Sequence, residues 1–574
     1  MTRAADDFDV IVLGAGGAGM AAALFAAVEG MKVLLVERTP WVGGTTALAA
    51  GALWIPNTQH SQGSGDTPGR AAHYLRLAAP QGGEELQRCL LEFGPHAVQM
   101  LEAQTEVRLR AFAHHPDYLS ELEDATSWGR VLECLPFDGR RLGEAFSLVR
   151  PPIPEFTVLG GMMVDRIDIG HLMNLTRSRA SFIHAVRLLW RYGRDRLRHP
   201  RGTRLVMGNA LVGRLLASLR SRGVPVWTET QVLELTQQCG RVAGVTVRRD
   251  GQTVQLRAQR GVVLAGGGFL DHPDMRASFI PPTVQHSPRA GTSGGDLIRQ
   301  AICLGARLST PQGSAAFWAP VSVRRRANGS TAVFPHFVLD RAKPGTLVVD
   351  AAGRRFLNES VSYHQFVECM LRRVAGKAFL VADHRALIKY GLGMVRPGGR
   401  GLAPYLRDGY LVRAPSLEAL ATALAIDSAA LCATVARFND FAVTGLDDDF
   451  QRGTTAYQRN LGDAAVQPNP TLGAIEQGPF YAMRLLPGDI GASVGLVTDG
   501  HARVLRGNQP IPGLYAAGND MQSAMGSAYP GPGINLGPAI VFAFAAAQAL
   551  KRDAGPEASS TLTTAPLDTL GDTK

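Results

Sequence analysis

The chain has 574 residues, of which 45% are hydrophobic and 19% are charged, and its formal net charge is +10. This hydrophobic content excludes wholesale disorder, and the length suggests several domains of about 150 residues each. Six scattered cysteines without a C-x-x-C pair argue against a disulfide framework or a zinc site and favour a reducing compartment. The N-terminal segment lacks a signal-peptide layout, so we expect a cytoplasmic protein that holds no metal.

The first elements predict a dinucleotide-binding unit. Residues 8–13 (FDVIVL) form an apolar run with β-branched residues, and G-A-G-G-A-G follows at 14–19. An Ala/Leu-rich helical stretch then runs to Gly30, and KVLLVE at 32–37 is a second buried strand. Strand, glycine turn, helix and strand together predict a βαβ unit of a Rossmann-type α/β fold.

The glycine turn has the spacing of a pyrophosphate site. Gly14 allows a tight turn, Gly16 allows a pyrophosphate to approach the backbone, and Gly19 allows close packing of helix on strand. Glu37, at the end of the second strand, is placed to accept hydrogen bonds from a ribose hydroxyl.

Later segments indicate an interrupted domain. Residues 85–105 and 204–222 are predicted helices, and three consecutive strands precede RGVVLAGGGF at 260–269. The composition then becomes mixed α+β, and dinucleotide-type signals resume at 512–519. We therefore expect an α+β substrate domain inserted into the nucleotide domain, with the boundaries 1–283, 284–480, 481–552 and a mobile tail at 553–574.

Two further segments bear on membranes. The near-apolar run 534–550 is shorter than about 20 residues and contains Asn, Pro and Gln, so it does not predict a membrane span. The segment 177–204, within a basic insert at about 165–203, holds nine arginines and one acid. Its helical periodicity separates a basic stripe from an apolar one. The basic stripe contains Arg187, Arg191, Arg194 and Arg198. The apolar stripe contains Phe182, Val186, Leu189, Trp190 and Leu197.

Such a helix suits peripheral contact with an anionic membrane, for instance the inner membrane face, or it is a solvated helix that caps the protein. Nucleic-acid binding is not expected, because no aromatic-interleaved platform or known module is present.

The segment G-G-T-T at 43–46 and IPGLYAAGND at 511–520 resemble flavoproteins of the fumarate reductase and succinate dehydrogenase superfamily. The resemblance implies FAD, and a late helix whose N-terminus faces the flavin. A single G-x-G-x-x-G argues against a second, nicotinamide domain. The implied cofactor residues are Gly14, Gly16, Gly17, Gly19, Glu37, Arg38, Gly43, Gly44, Thr45, Thr46, Gly51, Val232, Gly266, Gly267, Gly518, Asn519, Asn535 and Leu536.

Within that superfamily the chain is similar to 3-ketosteroid Δ1-dehydrogenases. The stretches that carry the resemblance are GGTTALAAGALWIPN, PDYLSE at 116–121, LPFDGRRLG at 135–143, GRRFLNESVSYHQF at 353–366 and SAYPGPGINLGPAI at 527–540. Soluble fumarate reductases place an Arg proton donor where this chain has Tyr363, which argues against fumarate reduction.

The resemblance assigns four site residues. It implies that Tyr363 takes the C2 proton, that Tyr118 supports it, and that Tyr529 with the N–H of Gly533 holds the C3 carbonyl oxygen, while the C1 hydride passes to the flavin N5. A tyrosine base has an ordinary pKa of about 10, so it needs a hydrogen-bond partner or a nearby positive charge. The implied partners are a 3-ketosteroid and an electron acceptor that we expect to be a quinone.

Alternatives remain open at this point. A Δ4-(5α)-dehydrogenase carries a Ser where this chain has Gly531, which favours Δ1 chemistry; another enone-forming dehydrogenase, a fumarate-reductase-like flavoprotein and a membrane-docked electron carrier are the other candidates. His364 is a weaker candidate base than its neighbour Tyr363. Phe317, Trp318 and Phe337 suit either aromatic core packing or the lining of a steroid pocket.

Overall fold

The computed structural model describes residues 6–175, 178–337, 340–374 and 377–553. The helices of these residues are α1 Gly17–Val28, α2 Pro68–Ala78, α3 Glu84–Gln104, α4 Arg166–Met173, α5 Arg179–Arg196, α6 Met207–Ser221, α7 Pro273–Phe279, α8 Asp296–Cys303, α9 Tyr363–Arg373, α10 His384–Tyr390, α11 Ala403–Arg407, α12 Leu417–Leu424, α13 Ser428–Thr444, α14 Ala456–Leu461 and α15 Leu536–Arg552.

The strands are β1 Asp6–Leu13, β2 Val33–Val36, β3 Leu53–Trp54, β4 Leu109–Ala111, β5 Val131–Cys134, β6 Phe137–Asp138, β7 Thr157–Val158, β8 Met162–Met163, β9 Arg204–Leu205, β10 Val226–Trp227, β11 Gln231–Gln238, β12 Arg241–Arg249, β13 Gln252–Leu264, β14 Ala316–Arg325, β15 Thr331–Pro335, β16 Thr346–Val349, β17 Ala378–Ala382, β18 Val412–Ala414, β19 Phe480–Ala492, β20 Arg503–Arg506 and β21 Gln509–Ala516.

The first sheet contains the predicted βαβ unit. Its order is β10-β2-β1-β13-β12-β11, and β21 pairs with the end of β13 and with β20. Strands β10, β2, β1, β13 and β21 run parallel, whereas β11 and β12 form an antiparallel extension. All four residues of β2 are buried, as the continuous apolar run requires when helices cover both faces.

Helices α1 and α15 pack against one another beside this sheet. Phe25 of α1 and Phe544 of α15 meet edge to face, with their ring centres 5.3 Å apart. Most of α15 is buried, which explains why its sequence is so apolar. In the described part of the chain, none of the helices has the length and apolar character needed to cross a bilayer.

The second sheet is antiparallel and forms the centre of the inserted region. Its order is β15-β14-β19-β17-β16, and β18 also pairs with β19. Strand β19 pairs with β14 and β17 over most of its length, so this sheet reaches Ala492, beyond the boundary expected at 480. The domain boundary at 480 stays a prediction, because an apolar strand does not show in the sequence which sheet it joins. Of the expected tail at 553–574, residues 554–574 lie outside the described residues.

The basic insert forms two helices, α4 and α5. Asp165 and Asp168 make a capping box at the start of α4, and the Ser178 side chain caps α5. Leu188 packs against Met162 and Val164 in a small cluster of its own, separate from the main core. The insert is therefore held by few apolar contacts, and most of the α5 surface remains exposed.

Candidate functional site

The three motif glycines meet different surroundings. A Cβ on Gly14 would lie 2.2 Å from the Ala265 carbonyl oxygen, and one on Gly19 would lie 1.8 Å from that of Gly14. Gly14 also has φ +104°, which strongly favours glycine. A Cβ on Gly16 would meet no atom of the described residues within 4 Å. The first and third glycines are thus required by protein packing, whereas the second faces open space that a ligand could fill.

Side chains from neighbouring segments hold this turn. Glu37 accepts hydrogen bonds from the backbone N–H of Ala15 at 2.8 Å and of Thr39 at 2.9 Å. Thr46 Oγ1 accepts one from Gly17 N–H at 3.1 Å, and Gly43 N–H donates to the Ala15 carbonyl at 2.7 Å. Glu37, expected at a ribose, therefore also positions the glycine turn.

The late turn closes the same region. Asp520 is buried and accepts hydrogen bonds from the backbone N–H of Gly266 at 2.6 Å and of Gly268 at 2.7 Å. Burial raises its pKa to about 6, although the N–H donors oppose the rise. Gly518, Asn519 and Asn535 line one cavity. The sequence did not single out Asp520, although it directly follows the predicted Gly518-Asn519 pair.

The remaining predicted cofactor residues have separate surroundings. A Cβ on Gly17 would approach Leu536 to 2.8 Å, one on Gly44 would approach Gly16 Cα to 3.3 Å, and one on Gly51 would approach Gly208 N to 2.5 Å. Thr45 Oγ1 accepts a hydrogen bond from Ala290 N–H at 3.3 Å, and a Cβ added to Gly267 would lie 3.2 Å from Ser293 Oγ. Arg38 pairs with Asp296 at 3.4 Å. Val232 is half-buried on β11. The open second glycine, and the amide side chains of Asn519 and Asn535 at the cavity, fit a dinucleotide cofactor.

Four tyrosines from distant segments form one buried cluster. Tyr363 contacts both Tyr118 and Tyr529, with ring centres 5.5 Å and 5.2 Å away. Tyr118 stacks on Tyr529 at 5.8 Å and contacts Tyr457 at 4.6 Å. The structure therefore brings together the three tyrosines that the sequence singled out. It adds Tyr457, which carried no sequence signal of its own.

Each tyrosine is held by its own segment. Tyr363 is the first residue of α9, which the Ser362 side chain caps. Tyr118 N–H donates to the Pro530 carbonyl at 2.9 Å, and the Tyr74 hydroxyl donates to the same oxygen at 2.7 Å. The hydrogen bond to the Pro530 carbonyl thus holds the loop of Tyr529 against the segment of Tyr118.

A buried ion cluster supports Tyr118 from behind. Its neighbour Asp117 accepts from Trp54 Nε1 at 2.9 Å and from Arg130 at 2.8 Å. Arg130 also binds Asp66 through two nitrogens, at 2.6 and 2.9 Å. The paired charges and hydrogen bonds compensate each other where water is excluded, and this fixes the loop geometry.

Gly533 completes the arrangement. It has φ +92°, and a Cβ there would lie 2.5 Å from the Ala52 carbonyl oxygen, so no larger residue fits. Its carbonyl accepts from Trp54 and Gly537. Within the described residues its own N–H donates to no protein acceptor, which leaves that donor available.

Burial makes these phenols harder to ionise. It raises the pKa of Tyr363 well above the ordinary value, and the neighbouring Tyr118 and Tyr529 raise it further. Burial also raises the pKa of Tyr118 well above its ordinary value, although Tyr363 and Arg341 oppose this rise. Burial raises the pKa of Tyr529 and that of Tyr457 to about 12. A base in this cluster therefore needs a compensating positive charge.

Aromatic neighbours surround the cluster. Phe317 meets Tyr529 edge to face at 5.2 Å, and Phe337 meets Tyr363 at 4.9 Å. His364 stacks on Tyr529 at 5.6 Å, and its Nδ1 accepts from Trp318 N–H at 3.2 Å. The hydrogen bond from Trp318 ties His364 to β14, and the His364 ring packs against Tyr529.

Comparisons with known proteins give the following matches. The model of a family described as FAD binding domain matches residues 9–536. A 4-oxocyclohex-2-ene-1-carboxylate 5-dehydrogenase of Sinomonas cyclohexanicum is 35% identical, over 95% of this chain and 94% of its own. A 3-oxosteroid 1-dehydrogenase of Mycolicibacterium smegmatis is also 35% identical, over 94% and 96%.

One solved structure is similar over nearly the whole chain. It is 3-ketosteroid delta1-dehydrogenase from Sterolibacterium denitrificans in complex with 1,4-androstadiene-3,17-dione. The TM-score is 0.88 at 34% identity, with 95% of this chain and 99% of that chain covered.

Proposed function

The chain belongs to the FAD-binding family that includes the 3-oxosteroid 1-dehydrogenases, and from this premise we propose that it dehydrogenates 3-ketosteroids between C1 and C2. The matches confirm the expected α/β flavoprotein fold, the FAD cofactor and the resemblance to ketosteroid dehydrogenases. The observation that carries the proposal is the buried meeting of Tyr118, Tyr363 and Tyr529.

The residues around the glycine turn would hold FAD. Gly16 leaves room for a pyrophosphate, Glu37 would accept from a ribose hydroxyl while it holds the Ala15 N–H, and Asn519 and Asn535 line the cavity near α15. FAD, when bound, supplies the acceptor for the hydride that leaves the substrate.

The tyrosines would manage the proton and the carbonyl. Tyr363 holds at its Oη the proton that leaves C2, and Tyr118 supports it from the other side. The Tyr529 hydroxyl and the Gly533 N–H donate to the C3 carbonyl oxygen as negative charge develops on it, and this polarisation makes the C2 proton acidic. The dry aromatic surroundings exclude water and suit the apolar rings of a steroid.

The direct test is anaerobic mixing of the holoenzyme with 4-androstene-3,17-dione while the flavin absorbance is followed. Bleaching of the flavin, with the 1,4-diene as product, supports the proposal. Absence of bleaching with every 3-ketosteroid, in protein that retains FAD, would overturn the steroid assignment and leave the family standing.

A smaller ring ketone is the second candidate substrate. It is favoured by the equal identity to a relative named for 4-oxocyclohex-2-ene-1-carboxylate. The tyrosine cluster serves a ketone in either molecule, because only the carbonyl and the adjacent carbons react. Comparing kcat/KM for that compound and for 4-androstene-3,17-dione decides between them; a ratio that favours the small acid rejects the steroid.

We also propose that the insert docks on an anionic membrane. Trp190 and Phe182 are 66% and 56% exposed, and Leu197 is 83% exposed. Exposed arginines flank this apolar face on α5, among them Arg187 and Arg194. A contiguous apolar face beside a basic one matches the chemistry of an interfacial helix, and a membrane is where a steroid partitions.

Vesicle sedimentation tests this docking. Binding to vesicles with anionic phospholipid, and its loss in Trp190→Ser or in Arg187→Gln with Arg194→Gln, would support it. Val443→Ser is the control, since Val443 is an apolar residue outside the insert that is exposed at least as much as Trp190 (81% against 66%). Equal binding by Trp190→Ser and wild type would refute the docking.

A quinone is the proposed electron acceptor. The sequence has a single dinucleotide motif, which argues against a nicotinamide nucleotide as electron acceptor. The exposed apolar face of the insert suits a membrane, where an apolar quinone would be found. Reduced holoenzyme should be reoxidised rapidly by a short-chain quinone and not by NAD⁺. Faster reoxidation by NAD⁺ would reject the quinone.

A further inference from the structure

A cluster of two arginines and two aspartates lies between the two large sheets. Arg289 donates from Nε to Asp489 at 2.7 Å, and its other two nitrogens donate to the two oxygens of Asp271, at 3.0 and 3.1 Å. Arg276 donates to the second oxygen of Asp489 at 3.0 Å. The side chains of Arg289 and Asp489 are only 2% and 0% exposed, so water screens their attraction poorly. The two positive and two negative charges of this cluster hold one another in a fixed geometry.

The members of the cluster come from different parts of the fold. Asp489 lies on β19 of the second sheet, whereas Asp271, Arg276 and Arg289 lie on the segment that follows β13 of the first sheet. The Ser287 hydroxyl adds a hydrogen bond to the backbone carbonyl of Asp489 at 2.8 Å. The cluster therefore fastens the segment that leaves the first sheet to the strand at the centre of the second.

On one side the cluster reaches residues that would hold FAD. Ala290, next to Arg289, donates its N–H to Thr45 Oγ1 at 3.3 Å. Ser293 Oγ accepts from Arg289 at 3.2 Å and would lie 3.2 Å from a Cβ added to Gly267. A shift of Arg289 would therefore be felt at Thr45 and at Gly267.

On the other side the cluster reaches the proposed base. Asp489 is paired with Trp318 in the ladder of β19 and β14. The Trp318 N–H donates to His364 Nδ1 at 3.2 Å. His364 directly follows Tyr363 at the start of α9, and α9 packs against β14. The position of Asp489 thus bears on that of Tyr363 through one pair of strands and one hydrogen bond.

We propose that Arg289 and Asp489 are positioning residues that set where Tyr363 lies relative to bound FAD. This inference rests on the proposed dehydrogenation. In that reaction the electron pair of the C1–H bond leaves as hydride to FAD, and the C2 proton passes to Tyr363 Oη. The electron pair of the C2–H bond becomes the second bond between C1 and C2.

The two acceptors must reach adjacent carbons of one substrate, although they are carried by different sheets. The turns that would hold FAD belong to the first sheet, and Tyr363 is held against the second. A misplacement of about 1 Å between reacting groups can slow a reaction by about 10²-fold. Arg289 and Asp489 fasten the two sheets at the point where such a misplacement would arise.

A double-mutant cycle of Asp489→Asn and Tyr363→Phe tests this role. Asn keeps the shape of Asp489 but removes the charge that binds both guanidinium groups. Asp447→Asn is the control, because Asp447 is also buried and accepts two hydrogen bonds from one guanidinium, that of Arg355. Arg355 lies over Phe438 in the core beside the second sheet, so this pair does not join the sheets.

Two quantities are measured on each holoenzyme. The first is the rate of flavin bleaching by 4-androstene-3,17-dione. We expect Asp489→Asn to slow it by about 10–10²-fold in the wild-type background. In the Tyr363→Phe background the same substitution should change the rate by less than about twofold, the usual error of additivity. Equal slowing in both backgrounds would overturn the proposal, because Asp489 would then act independently of Tyr363.

The second quantity is backbone hydrogen exchange without substrate, followed by mass spectrometry. Asp489→Asn should lower the protection of the Trp318 amide, which donates to His364, whereas Asp447→Asn should leave it at the wild-type level. Unchanged protection of this amide in Asp489→Asn would also overturn the proposal. A wild-type holoenzyme that no 3-ketosteroid bleaches would reject the proposed function, and the exchange measurement would still test the positioning.

If Asp489→Asn does not retain FAD, Arg289→Lys replaces it in the same cycle. Lys keeps the positive charge but cannot bind Asp271 and Asp489 with three nitrogens at once. The slowing should again be present with Tyr363 and absent in Tyr363→Phe. An equal slowing in the two backgrounds would overturn the proposal in this variant as well.

Discussion

The backbone N–H of Tyr118 donates a 2.9 Å hydrogen bond to the carbonyl of Pro530. This one contact joins a segment near the start of the chain to the loop that carries Tyr529 and Gly533. A shift of either segment therefore moves both the support of the proposed base and the donors to the carbonyl.

Tyr363→Phe is expected to slow flavin bleaching by about 10²–10⁴-fold, the range typical for loss of a general base. The ring packing against Tyr118, Tyr529 and Phe337 is retained, so FAD content and Tm should match wild type. Rapid-mixing kinetics with 4-androstene-3,17-dione measure the effect. A rate close to that of wild type would mean that another residue takes the proton.

Tyr529→Phe should remove one donor to the C3 oxygen and lower kcat by about 10²–10³-fold. The comparison variant is Phe317→Leu, which alters the edge-to-face contact with Tyr529 but removes no donor. Steady-state kinetics on both variants separate the two effects. Equal losses in kcat would show that ring packing, rather than the hydroxyl, matters.

The two glycine substitutions Gly16→Ala and Gly19→Ala should fail in different ways. In Gly16→Ala the new methyl group meets no atom within 4 Å in the part of the chain that the structure describes, so the chain should fold but retain little FAD. Gly19→Ala would meet the Gly14 carbonyl at 1.8 Å and should not yield folded protein. Circular dichroism and flavin content check both; full FAD occupancy in Gly16→Ala would contradict a pyrophosphate at that glycine.

Arg130→Met should destabilise the protein by about 3–5 kcal/mol, because Asp66 and Asp117 would remain buried without their cation. Arg88→Ala is the matched control. Its pair with Glu92 is exposed, at 64% and 54%, and should contribute at most about 0.5 kcal/mol. Denaturant unfolding of the holoenzymes gives both values, and a similar small loss in the two variants would refute the structural role of Arg130.

Asp520 should make stability depend on pH. Burial raises its pKa from the ordinary 3.8 to about 6, so between those values the folded protein binds a proton that the unfolded chain has lost. The contribution of this group to stability therefore falls as the pH rises from about 4 to about 6. The unfolding free energy of wild type minus that of Asp520→Asn should therefore decrease as the pH rises from about 4 to about 6. A difference that does not change with pH would argue against the raised pKa.

Local patterns determined much of the nucleotide domain. The apolar run before Gly14, the helix after it and the strand before Glu37 all lie where the sequence predicted them, because a βαβ unit is built from contiguous residues. Periodicity placed the basic helix α5 for the same reason. The resemblance to ketosteroid dehydrogenases supplied the candidate tyrosines.

Only the tertiary structure decided how these residues meet. Tyr118, Tyr363, Tyr457 and Tyr529 lie on separate segments, and no local spacing encodes their contacts. Arg341 is an ordinary charged residue in the sequence, and only the structure shows that it is fully buried. Strand β19 joined the second sheet for a similar reason, since its partners β14 and β17 are chosen by long-range packing.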